Sequence, residues 1–155
     1  MNELVSIITP VFNSEKYISD SIKSVISQTY HNWELFIVDD CSNDKTFEKI
    51  KIFNDDRIRY IKLDKNSGAA VARNKALEKV KGKYIAFLDS DDIWKPEKLE
   101  KQLTFMIDNN VGFSYTGYEI LKDGKNKVIN VPLKLTYGQF MKNTVIGTLT
   151  VMINK

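Results

Sequence analysis

Four times in succession an apolar, strand-like run gives way to a stretch with helical spacing, and this repeat limits the fold more than any other feature. Leu4 to Val11, Trp33 to Val38, Ile58 to Leu63 and Tyr84 to Leu88 read as strands. After the first, Ile18, Ile22, Val25 and Ile26 form one apolar stripe at helical spacing. Phe47 and Ile50 give the second helix an inner face, and Ala69 to Val80 is the third. Pro96 suits the first turn of a fourth, running to about Asn109 with Leu99, Leu103, Phe105 and Met106 along it. Repeated β-then-α units imply an α/β fold: a mostly parallel sheet, helices on both faces, right-handed crossovers.

Local punctuation agrees with that reading. Asn13 or Ser14 is expected to cap the first helix and Ser42, Asn43 or Asp44 the second. Gly82 is placed to end the third in a left-handed conformation. Past Asn109 the pattern changes to a strand over Val111 to Leu121, a turn at Asp123-Gly124 and a returning strand over Val128 to Val131. A short helix is expected at Tyr137 to Asn143 and a last strand at Thr148 to Ile153. Residues 1–110 thus form a βα region and 111–155 a different one, within a single structural domain of 155 residues.

In such sheets ligands bind outside the carboxyl ends of the strands. Those ends carry Thr9-Pro10-Val11-Phe12, then Asp39-Asp40, then Asp89-Ser90-Asp91-Asp92. Along an extended chain, residues two apart point the same way, so Asp89 and Asp91 can converge. Converging carboxylates repel unless a cation or proton lies between them. Oxygen ligands of this kind suit Mg²⁺ or Mn²⁺ with positions left open for phosphate. Read alone, the cluster is equally an exposed acidic turn that caps the next helix.

The neighbouring residues extend this chemistry. Phe12 can stack on a flat base, although core packing is the commoner use of such a residue. One of Asp39 and Asp40 can cap a helix while the other accepts from a base or ribose. Gly68 and the start of the helix after it offer N–H groups to an anion. Arg73 can reach a phosphate or pair with a carboxylate, and Trp94 is expected to pack beneath the acidic loop.

Several classes are disfavoured. His31 is the only histidine, which removes histidine metal clusters and a Ser-His-Asp triad. Neither G-x-G-x-x-G nor a P-loop pattern occurs. The net charge of +3 is spread along the chain and gives little reason to expect nucleic acid. No apolar run nears the about 20 residues that span a bilayer. The N-terminus shows no signal-peptide pattern, and the single Cys41 has no internal partner, so a cytoplasmic setting is expected.

The stretches VSIITPVFNSEKYI (5–18), SQTYHNWELFIVDDCSNDKT (27–46), NSGAAVARNKAL (66–77) and GKYIAFLDSDDIWKPEKLEKQ (82–102) together resemble the nucleotide-sugar-binding half of glycosyltransferase family 2. That is an inverting family with the GT-A fold. The resemblance implies a nucleotide-diphosphate sugar, in the first instance a UDP-sugar, as donor, and a glycan or lipid-linked acceptor. It implies that Pro10 and Phe12 border the base, that Asp40 contacts it with Asp39 alongside, and that Asp89 and Asp91 form a D-x-D motif. Asp91 is then the direct Mn²⁺ or Mg²⁺ ligand. Thr9, Glu15 and Arg73 fall near the donor. Many members have Tyr where this chain has Phe12, which keeps stacking and loses a hydroxyl contact. The family is associated with surface polysaccharide assembly at the inner face of the membrane, where a full-length form could attach peripherally.

Inversion at a sugar carbon needs a general base, and family members carry it well downstream. Here the late acids are Asp108, Glu119 and Asp123, and none sits in a recognisable motif. The chain is therefore expected to hold the donor site and to lack most of the acceptor site. Two other readings remain. One is a non-catalytic nucleotide-binding module. The other is a phosphoacceptor signalling domain, with Asp39-Asp40 and Asp89 as its acidic set.

Overall fold

The structure, a computed structural model, describes residues 2–122, 124–136, 138–139 and 146–155. Strands β1 (Val5–Val11), β2 (Trp33–Asp39), β3 (Ile58–Lys62) and β4 (Tyr84–Phe87) alternate with helices α1 (Ile18–Ile26), α2 (Thr46–Ile50), α3 (Ala69–Leu77) and α4 (Lys98–Asp108). Then come β5 (Phe113–Ser114), β6 (Tyr118–Lys122), β7 (Lys125–Ile129), a 3₁₀ turn at Thr148–Thr150 and β8 (Met152–Asn154). One sheet runs in the order β3-β2-β1-β4-β8-β5, and β6 and β7 form a second, two-stranded sheet. The first four strands of the large sheet are mutually parallel, and β8 lies antiparallel to both β4 and β5. The expected mostly parallel α/β sheet is what the sequence forms.

Alternation along the strands divides the core in two. Ile7, Leu35 and Ile37 face Ile18, Ile22 and Val25 of α1 and Leu99, Leu103 and Met106 of α4. Ile8, Phe36, Val38 and Ile85 face the other way, against Ala72 and Ala76 of α3. Those two alanines, one turn apart, let α3 lie close on the sheet. The chain leaves β1 toward β2 and β3, then returns to pair β4 on β1's other side. The strand order reverses there, which opens a crevice at the carboxyl ends of β1 and β4.

Several local expectations are corrected. Gly82 is not left-handed. A Cβ there would lie 2.6 Å from Ser6 Oγ and 2.7 Å from Leu4 O and Ser6 N, so the requirement is close approach rather than a helix end. Its N–H donates to Ser6 Oγ at 2.8 Å, and that hydroxyl donates to the buried Glu34 at 2.6 Å. Because two of the clashing atoms are backbone, Gly82→Ala is expected to cost about 1–3 kcal/mol, read as a lower midpoint in thermal or urea unfolding.

The first helix starts without a side-chain cap. Asn13 sits at φ 49° and Ser14 offers its carbonyl, not its hydroxyl, to the N–H groups of Tyr17 and Ile18. The second helix likewise has no side-chain cap at its N-cap, Lys45; Asp44, one residue earlier, accepts from Thr46 N–H at 2.9 Å. Phe105 points to solvent, and Phe47 is half-exposed with its ring 4.9 Å from that of Tyr60.

The expected strand over Val111 to Leu121 is broken into β5, which joins β8, and β6, which leaves the main sheet for β7. The returning strand is shifted to Lys125–Ile129. Thr148–Thr150 turns rather than extends because the Thr150 amide and hydroxyl both donate to Gly147 O, at 2.9 and 2.6 Å. The helix expected at Tyr137 to Asn143 falls largely outside the described residues, as does Asp123. Among the described residues no helix is long and apolar enough to cross a membrane.

Candidate functional site

A cavity of about 260 Å³ opens at the crevice. It is lined by Pro10, Val11 and Phe12 from the end of β1, Asp40 after β2, Ala69 and Arg73 of α3, and Asp89-Ser90-Asp91 after β4. Ligand pockets usually hold roughly 300–1,000 Å³, so this one suits part of an extended ligand rather than all of it.

The acidic segment is not extended. Asp92 N–H donates to Asp89 O at 3.1 Å, so Asp89 to Asp92 form a turn, and it is the turn rather than strand alternation that brings Asp89 and Asp91 to one cavity. Asp89 is ion-paired with Arg73. Asp91 is exposed and has no hydrogen-bond or ion-pair partner among the described residues. Ser90, between them, meets Ser14 Oγ at 2.8 Å, and Ser14 Oγ lies 3.2 Å from Phe12 O. Two hydroxyls thus tie the acidic turn to the segment carrying Phe12. Beneath the loop Trp94 is buried, as expected, its indole N–H donating to Leu149 O at 2.9 Å. Lys98 Nζ lies 3.9 Å from the centre of that ring, and burial lowers its pKa to about 7.

Asp39 and Asp40 have separate tasks. Asp39 is fully buried, accepting from Ser42 N–H at 2.8 Å and Tyr60 O–H at 2.5 Å. Burial, then that carboxylate, push the Tyr60 phenol well above its ordinary value. Asp40 accepts from the Ser67 and Gly68 amides, both at 2.7 Å. The φ of +89° at Gly68, a region L side chains avoid, accompanies this pairing of successive amides with one carboxylate. The Gly68 N–H expected to meet an anion is therefore committed to Asp40. Each oxygen of Asp40 keeps a second lone pair.

Of the residues singled out in the sequence, Pro10, Phe12, Asp40, Arg73, Asp89 and Asp91 meet at the cavity. Thr9, Glu15, Asp39 and Gly68 do not line it. Thr9 falls on the face of β1 shared by Ile7 and Val11 and is buried. Glu15 accepts from Lys45 N–H at 3.0 Å, clamping two loops together. Val11, Ala69 and Ser90 are lining residues that chemistry alone did not single out. Their signal is position: the last residue of β1, the first of α3, and the middle of D-x-D.

Three carboxylates within four residues leave an electrostatic trace. Burial first, then the charges of Asp91 and Asp89, raise the Asp92 pKa to about 6. The folded protein thus holds this proton more tightly than the unfolded chain, whose value is about 4. The contribution of this group to stability is expected to fall as pH rises from about 4 to about 6, then level off. Asp92→Asn should be the more stable protein above that window, with the difference closing below it, as urea titrations across pH would show.

The model of the family described as "Glycosyl transferase family 2" matches residues 6–152. The chain belongs to this glycosyltransferase family. TuaG of Bacillus subtilis (strain 168), a protein named for teichuronic acid biosynthesis, is 52% identical over 157 residues, covering 98% of this chain and 62% of that protein. The Escherichia coli UDP-Glc:alpha-D-GlcNAc-diphosphoundecaprenol beta-1,3-glucosyltransferase WfgD is 48% identical, over 98% of this chain and 60% of its own length. Among solved structures, S. aureus TarS 1-349 in complex with UDP superposes with a TM-score of 0.81 at 26% identity, covering 97% of this chain and 46% of that one. The chain spans about six-tenths of the curated relatives it matches. The GT-A fold implied by the sequence motifs is confirmed by this superposition, and membership in glycosyltransferase family 2 displaces the phosphoacceptor reading.

Proposed function

We propose that this family 2 chain supplies the donor side of a metal-dependent sugar transfer, from a UDP-sugar to a lipid-linked glycan acceptor. The observation that carries the reading is the meeting of Phe12, Asp40, Arg73, Asp89 and Asp91, distant in sequence, around one cavity at the point where the strand order reverses. The UDP-sugar and the diphosphoundecaprenol-linked acceptor are taken from the name of WfgD, and UDP from the TarS complex.

The residues present fit a divalent cation. Asp91 is an uncommitted carboxylate and Asp92 has a raised pKa, so negative charge in the turn is incompletely compensated. Mn²⁺ or Mg²⁺ is usually held by one or two carboxylates with the remaining positions left to water and phosphate, and Asp89 and Asp91 line the cavity together. When bound, the ion supplies Lewis-acid compensation of charge growing on the departing diphosphate. Asp91 is the direct ligand. Asp89 orients Arg73, so that Arg73 can turn its remaining donors to phosphate, and would be the second carboxylate holding the ion. Phe12, 47% exposed at the rim, offers a face to the uracil ring. Asp40, held by two amides, accepts from the base.

Phe12→Ala is expected to weaken UDP binding by roughly 5- to 150-fold, the value of one stacked base at about 1–3 kcal/mol. Its unfolding midpoint should stay unchanged, because the ring is not part of the core. The reading itself is tested by calorimetry with UDP, GDP and ADP, each with Mn²⁺ and with chelator. Preferential UDP binding that needs the metal supports it; equal affinity for all three, unaffected by chelator, refutes it.

A further inference from the structure

Lys98 and Gln102, four residues apart in α4, lie on one side of that helix. Gln102 is buried, and its side-chain amide donates to Ser114 Oγ and to Thr150 O, both at 2.9 Å. A backbone carbonyl only accepts, so Thr150 O fixes which end of the amide is nitrogen. The other end, Oε1, is buried and has no hydrogen-bond partner among the described residues. Lys98 Nζ is also buried and also lacks one. The two atoms are complementary, since the lysine nitrogen donates and the amide oxygen accepts. They do not bond to each other directly, and a buried polar atom left unpaired costs free energy.

Lys98 Nζ sits over the ring of Trp94, which follows the acidic turn. Trp94 is pinned at two further points: its backbone N–H donates to Ser24 Oγ at 3.2 Å, and its indole N–H to Leu149 O. Gln102 holds the adjacent carbonyl, Thr150 O. One side of α4, the 3₁₀ turn and the residue that anchors the acidic turn thus meet at a single joint. The start of α4 is secured without the lysine amine, because Leu99 N–H donates to Gln28 Oε1 at 2.9 Å.

We propose that one internal water accepts from Lys98 Nζ and donates to Gln102 Oε1, and that this link fixes Lys98 over Trp94 as a positioning residue for the acidic turn. Water is the smallest group that both accepts and donates, and buried waters commonly satisfy such pairs. The ring attracts the lysine nitrogen from one side only; the water sets its direction. Any consequence for UDP rests on the donor-site reading, whereas the joint itself does not.

The test joins a crystal structure of the whole chain, at a resolution that shows ordered water, to ¹H–¹⁵N spectra of the parent and of Lys98→Met. Methionine keeps an apolar stem over the ring and removes the amine. The crystal structure is expected to show a water within about 3.2 Å of both atoms. In the variant the Trp94 indole signal and the amide signals of Asp89 to Asp92 should move. UDP affinity in Mn²⁺ should fall roughly 2- to 10-fold, the net value of one hydrogen bond, and affinity in chelator should stay the same. Three results overturn the proposal: a crystal structure in which no water joins the pair, amide signals of Asp89 to Asp92 that stay in place, or an equal loss of UDP affinity with metal and with chelator. The last would mark Lys98 as a packing residue only. A parent that binds no UDP would defeat the donor reading. The crystal structure and the spectra, recorded without nucleotide, would still decide the role of Lys98.

Discussion

Asp91→Asn is expected to lower UDP affinity in Mn²⁺ by roughly 10- to 150-fold, and to leave UDP affinity measured in chelator nearly unchanged. Asp91 is exposed, unpartnered among the described residues and part of the cavity lining. Asparagine keeps the shape and removes the negative charge that a divalent ion needs. Contacts involving an ionised group are worth about 1.5–3 kcal/mol, which sets the range. Folding should not suffer. Removing one of three crowded carboxylates should also let the Asp92 pKa fall, because Asp91 is the larger of the two charges that raise it after burial. Calorimetry of parent and variant, with and without metal, separates the outcomes: equal loss in both conditions would mean that Asp91 acts on the nucleotide directly rather than through an ion.

Asp40→Ala should have a different profile, losing both stability and UDP affinity. Its carboxylate is buried and gathers the Ser67 and Gly68 amides that lead into α3. Two hydrogen bonds to a charged acceptor are lost, but Ser67 and Gly68 lie where water can take its place. The expected cost is therefore about 2 kcal/mol, or roughly 4–8 °C in the unfolding midpoint for a chain of this size. UDP affinity should fall at least tenfold, because the loop before α3 is released and the acceptor for the base is removed. Asp40→Asn keeps one acceptor oxygen and turns an amide toward an N–H group, so it should fall between parent and alanine variant. An Asp40→Ala protein of parental stability would show that the two amide contacts contribute nothing to folding.

The strongly periodic part of the chain was legible. Parallel β1 to β4, helices on both faces and a cavity on the carboxyl rim all follow from apolar spacing and from where the acids fall. What was not legible depends on atoms that meet across the fold. The direction of Gly82's constraint needs Leu4 and Ser6, more than 70 residues away in sequence. The division of labour between Asp39 and Asp40 needs Tyr60 on the neighbouring strand and Ser67 in a distant loop. Asp89 and Asp91 share a cavity through a turn rather than the expected extended pair, since either geometry places D-x-D on the same rim. Past Asn109 the apolar run from Val111 to Leu121 is compatible with one long strand. Pairing decides otherwise, because β8 covers only Phe113 and Ser114.

The central claim is that this rim holds a divalent ion and a nucleotide diphosphate together, each completing the other's site. Electron paramagnetic resonance of Mn²⁺ titrated with the protein tests it most directly. The account predicts that free Mn²⁺ signal is retained with protein alone and is lost when UDP is added, beyond what UDP removes by itself, and that Asp91→Asn abolishes this extra loss. Equal Mn²⁺ uptake by the protein with and without UDP, or the same uptake by the variant, would contradict it.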